Sequence, residues 1–199
     1  MNGNLEGLPA GTSSFVVAFA NEIATSRQVV EQGPSHAGTT WAQARSRLPD
    51  LSAHAAAIAR ALGDVDVHYR RSTSSSPELL PDHIEQELTD LWSVLLLVEE
   101  ELHARFAPQV ELTAADDSTP LGDRVDLAVE LCTEGKRHAQ EGRYLFAHGA
   151  SATEQLGGFR IRDDAVAALQ QLATTFFAIR DTFAAMAELP PSDAGNETA

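Results

Sequence analysis

Cysteine is nearly absent from this chain. A single residue of 199, Cys132, excludes an internal disulfide framework and any zinc site built from cysteine pairs. Lysine is equally scarce, with Lys136 alone. Fourteen basic residues against 29 acidic ones leave a net charge of −15 at pH 7. That balance excludes a nucleic-acid binder that works through a basic face, because a polyanion would be repelled. Long apolar runs are missing too. Phe15 to Ala20 and Val94 to Val98 are too short for a secretory core segment or a bilayer span, and the first fourteen residues carry no basic cluster. The expectation is a cytoplasmic protein without membrane insertion. Thirteen glycines and nine prolines are ordinary usage and argue against wholesale disorder. The acidic excess suits basic partners. It is also the composition of proteins from salt-loving microbes, and arginine over lysine accompanies GC-rich genomes.

What is present is helical periodicity. Phe15, Phe19, Ile23 and Val30 stripe a first segment from about Ser14 to Glu31, closed by Gly33-Pro34. A second begins at Thr40, where Thr40-x-x-Gln43 forms a capping box. It is interrupted at Pro49, resumes through Leu51, Ala55, Ile58 and Leu62, and closes at Gly63. Asp64 to Tyr69 alternates like a strand but has no partner, so it reads as loop or an irregular helix end. Ser72 to Pro81 reads as a linker loop. The third segment carries Ile84, Leu88, Leu91, Leu95, Val98 and Leu102 at alternating spacings of four and three, one apolar seam along a helix. Trp92, Val94, Leu96 and Leu97 widen that seam, which predicts a central helix. It starts at Asp82 as N-cap and ends at Pro108. After a polar loop, Ala114 to Thr119, a fourth segment starts at Pro120 with Leu121, Val125, Ala128 and Cys132 on its stripe, weakened at Gly142. Gly149 to Gly158 reads as another loop. The fifth, Asp163 to Leu189, lines Val166, Leu169, Leu172, Phe176, Ile179, Phe183 and Met186 on one face. The sum is one all-α bundle of at least five helices over residues 13–190, with mobile tails at 1–12 and 191–199.

Several clusters could carry chemistry. His83, Glu87 and Asp90 share a helical face and could offer imidazole and carboxylate to a divalent metal, but they suit a polar first turn equally, with acids complementing the positive helix end. Glu100-x-x-His103 is half of a di-iron bundle motif; Glu134 is followed by Arg137 instead of a second histidine, so this reads as a solvated face. Glu87-x-x-Asp90 resembles the magnesium motif of MazG-type nucleotide pyrophosphohydrolases. The second acidic motif those enzymes need is absent, since residues 51–63 contain no acid. Arg70-Arg71 lies mid-chain with no apolar run behind it. No catalytic triad and no phosphate loop stand out. The expectation is a protein without catalytic residues, metal or cofactor.

One stretch is more specific. Tyr69, a short loop, then Pro81-Asp82-His83 and Glu87-Leu88 resemble the TorD/DmsD family of redox-enzyme maturation chaperones. Tyr144-Leu145-Phe146-Ala147-His148 resembles that family's later helix start. Thr89-Asp90 stands where the family carries an aromatic, and 108–119 reads as an insertion. The resemblance implies a non-catalytic, monomeric or dimeric chaperone. Its partner would be the twin-arginine leader, or the body, of a molybdenum-containing oxidoreductase subunit. Tyr69, Pro81, Asp82, His83, Glu87 and His148 would shape the binding site. The alternatives are a structural or interaction protein, and the pyrophosphohydrolase.

Overall fold

The computed structural model describes residues 14–31, 40–71, 80–113, 120–152 and 159–189, and among them every regular element is helical. Helix α1 spans Ser14–Glu31, α2 Trp41–Arg71 and α3 Leu80–Glu101. A π-helical turn, Leu102–Phe106, leads directly into α4, Ala107–Thr113. Helix α5 spans Pro120–Ala152 and α6 Phe159–Ala187.

The long helices form a closed ring in the order α1, α2, α6, α5, α3 and back to α1. Cross-helix contacts fix their directions. Arg47 on α2 donates from Nη2 to the Val29 carbonyl near the end of α1 at 2.9 Å, and Arg45 donates from Nε to the Ala187 carbonyl at the end of α6 at 2.7 Å. Both guanidinium groups thereby satisfy carbonyls that a helix C-terminus leaves without partners. Ser52 donates to the Arg180 carbonyl, two turns further along the same antiparallel α2–α6 contact. Arg143 and Lys136 on α5 pair with Glu85 and Glu99 on α3, also antiparallel. A ring of five cannot alternate throughout, and α1 and α3 are the parallel pair.

The apolar stripes meet inside this ring. Leu88, Leu91, Leu95, Val98 and Leu102 are all buried, as are Phe19, Ile23, Ile58, Leu62, Phe176 and Phe183. Trp92, expected to widen the apolar seam of α3, is exposed instead. Helix α5 meets α3 through small residues. A Cβ on Gly135 would lie 3.0 Å from Leu95 Cδ1, and one on Gly142 3.2 Å from Leu88 Cδ1. Gly142 therefore admits its neighbour rather than weakening the helix.

The punctuation read from the sequence is overridden at several further places. Pro49 lies within α2, exposed on its outer side, while Leu48 and Leu51 beside it are buried. Packing of those leucines outweighs the roughly 3 kcal/mol that an internal proline costs. Gly63 and residues 64–69 continue the same helix, held by Leu62 and Val65 in the core, so neither a stop nor a strand-like segment forms. Pro108 does not end the third segment. The π turn before it, closed by the Ala107 N–H on the Leu102 carbonyl five residues back, changes register where the proline lacks its donor. Finally, α3 begins at Leu80, so Pro81 is in its first turn rather than in a loop, and Asp82 lies inside that turn instead of capping it. Helix α5 likewise extends past Gly149 to Ala152, and α6 begins at Phe159. The Thr40 capping box forms as expected: the Gln43 N–H reaches Thr40 Oγ1 at 3.3 Å, and Gln43 Oε1 accepts from the Thr40 N–H at 2.8 Å. Gly33-Pro34, the loop 114–119 and the two tails lie outside the described residues.

Candidate functional site

The ring topology decides which motif residues share a neighbourhood. Helix α2 runs down to its end at Arg71, α3 starts from that same end at Leu80, and α5 returns to it at Ala152. The backbone positions of Tyr69, Pro81, Asp82, His83 and His148 thus fall at one end of the bundle, although 79 residues of chain separate the first from the last. The side chains of these five lie outside the described part. The Arg143–Glu85 pair, at 3.3 Å, ties the start of α3 to the last turns of α5. Two exposed apolar side chains, Val67 and Tyr144, belong to this end.

Glu87 is the one residue of the expected site whose side chain is described, and it is not a surface group. It is 8 % exposed, about two turns into α3. It makes no hydrogen bond or ion pair among the described residues. Burial, reinforced by the nearby Asp90 carboxylate, pushes its pKa up to about 7. A carboxylate that has lost water and gained no cation is held closer to its neutral form. Asp90 accepts from Gln86 Nε2 at 3.5 Å. Across the parallel seam, Arg27 on α1 is engaged by Glu31 at 2.8 Å and lies in the field of Asp90.

The other constellations separate. Glu100 and His103 are both exposed, as a solvated face requires. Among the described residues no group of three His, Cys, Asp or Glu is placed to hold a metal ion. The helix preceding α3 in the chain packs on α1 and α6, so the neighbour that a second acidic motif would need beside Glu87 and Asp90 is α1, not α2. Cys132 is buried, and burial pushes its thiol up to about 12, which leaves it inert as a nucleophile.

Sequence reasoning missed the buried ion cluster at the opposite end. Glu101 is paired with Arg105 at 2.6 Å and with Arg47 at 3.2 Å, and both Glu101 and Arg105 are fully enclosed. The only cue was the spacing of four between Glu101 and Arg105; Arg47 is 54 residues away. The bundle axis holds an apolar void of about 20 Å³ between α1, α2, α3 and α6, lined in part by Ser26 and His54 and too small for an organic ligand. A surface groove of about 370 Å³ lies between the first turns of α2 and the end of α6, beside Trp41, Arg45, Pro49 and Ala187, far from the motif residues. No helix among the described residues is long and apolar enough to cross a membrane. No family model, no curated protein and no solved structure matches the chain.

Proposed function

We propose that this chain is a binding protein of the redox-enzyme maturation kind. It holds the twin-arginine leader, or the body, of a molybdenum-containing oxidoreductase subunit in the cytoplasm until the cofactor is loaded, and it does no chemistry of its own. It works as a monomer or homodimer. The observation that carries the reading is the gathering of the backbone positions of Tyr69, Pro81 to His83, Glu87 and His148 toward one end of the ring, where α2 and α5 end and α3 begins. Charge supports it as well. A chain with a net charge of −15 attracts an arginine pair, and exposed Val67 and Tyr144 offer apolar contact to the apolar stretch of a leader.

The test is direct binding of a synthetic peptide with an Arg-Arg pair and an adjoining apolar stretch, measured by calorimetry on the full chain. Micromolar binding that weakens with added salt supports the reading. No binding in that range overturns it and favours a structural role. The pyrophosphohydrolase alternative has its own check: magnesium-dependent release of pyrophosphate from nucleoside triphosphates, lost in Glu87→Gln and Asp90→Asn.

A further inference from the structure

Two carboxylates are buried among the described residues, Glu87 and Glu101. Glu101 is matched by two guanidinium groups, whereas Glu87 has none among the described residues. A buried acid without a cation is costly to a fold. The described charged groups around Glu87 do not relieve it. Asp90, on its own helix, has the same sign. Glu85, nearer the start of α3, is taken by Arg143 of α5, and Arg27 of α1 is taken by Glu31. His83, one turn earlier, has its side chain outside the described part.

We propose that Glu87 is the receptor for one guanidinium of the docked segment, and that docking expels a proton from this site to solvent. The inference rests on the leader-binding reading and deepens it by naming the recognised group and the linkage. The balance is simple. The protonated carboxyl of the free protein gives up its proton, the carboxylate pairs with an arginine that was already charged, and the proton goes to buffer. Arginine suits the role better than lysine, because its planar fork matches both carboxylate oxygens. With the carboxyl held near pH 7 in the free protein, the linkage falls within the working range of a cell. Acid competes with docking, and alkali favours it.

The experiment is calorimetry of the Arg-Arg peptide with the full chain, in buffers of different ionisation heat, at about pH 6, 7 and 8.5. The wild type should release about 0.9, about 0.5 and about zero protons respectively, and its affinity should fall about tenfold from pH 8.5 to 6. Glu87→Gln should bind several-fold more weakly at pH 8.5 and release no protons, with melting curves showing that it is folded at each pH. Peptide binding without proton release, or the same release from Glu87→Gln, overturns this inference and leaves the leader-binding reading standing. Failure of the peptide to bind the wild type at every pH overturns both.

Discussion

Glu101 and Glu87 are carboxylates on the same helix, about four turns apart, and the fold treats them in opposite ways. Glu101 sits at the π turn between Arg105, 2.6 Å away on the next turn, and Arg47, which reaches over from α2 and also holds the end of α1. It is a structural acid whose charge is answered inside the molecule. Glu87 is nearly as enclosed, yet among the described residues the charge that acts on it is that of another acid, Asp90. Burial alone therefore does not tell whether an ionisable residue serves stability. What separates the two is whether the fold supplies the counter-charge. Where it does, the residue fixes architecture; where it does not, the residue is open to a partner from outside.

The contrast is broken most directly at Glu101. Glu101→Ala leaves the buried Arg105 and the partly buried Arg47 guanidinium groups without their shared anion, and should cost about 3–5 kcal/mol in urea denaturation. A loss below about 1 kcal/mol would mean that the cluster is not a closed structural unit. A second large effect is expected where α5 meets α3. Gly135→Val puts side-chain carbons into the space occupied by Leu95, itself buried, and by Thr175 Cγ2, 3.5 Å from where the Cβ would stand. Overpacking at this contact should destabilise the protein by about 1–3 kcal/mol despite the better helix propensity of valine over glycine.

The same division runs through what was legible in the sequence. The seam Ile84 to Leu102 and the stripes of α1, α5 and α6 could be read because an amphipathic helix writes its buried face at spacings of three and four, and apart from Phe15, whose side chain is outside the described part, these residues are core. The boundaries were harder. Pro49, Gly63 and Gly142 are local signals, whereas the packing that overrides them acts through helices distant in sequence, and Pro108 is absorbed by a π turn that no spacing announces. The Thr40 box could be read because both partners lie within one turn. At the candidate site, the motif stretch 81–88 was visible as residues, but its position at the same end of the bundle as the backbone of His148 and the burial of Glu87 depend on ring closure. No periodicity reports on that closure.

Replacement of Glu87 by its neutral isostere sharpens the comparison by pH. Its folded-state pKa of about 7 lies above the ordinary value of 4.5, so folding retains a proton that the unfolded chain gives up. The associated stability is complete below about pH 4.5 and is lost as pH rises through 7. Thermal melts of the wild type should therefore fall relative to Glu87→Gln between pH 5 and 8. The gap at pH 8 should reach about 1 kcal/mol once solvent screening is allowed for. Glu101→Gln gives the opposite pattern, a loss at every pH in that range. Parallel melting of Glu87→Gln and wild type across the range would show that Glu87 is ionised at no cost and finds a cation in the folded chain.

The smallest effect comes from extending the comparison to glycine. Gly135 and Gly142 are positions the fold has used, because a neighbouring helix occupies the space that a Cβ would take. Gly63 sits in the middle of α2 with nothing within 4 Å of where its Cβ would be, between Leu62 and Asp64 in an unbroken helix. Its backbone is helical, so it does not serve the freedom that glycine has at turns, and it retains glycine's entropic cost in a helix. Gly63→Ala should therefore raise stability by about 0.5–1 kcal/mol, chiefly by restricting the unfolded chain. The measurement is the urea midpoint at constant slope, with Gly135→Ala as the companion variant. Alanine at 135 gains the same propensity but must displace Leu95, so the two substitutions should part, with Gly63→Ala the more stable. Equal gains at both sites would show that the α3–α5 contact yields freely and that close approach through glycine is not what holds these helices together.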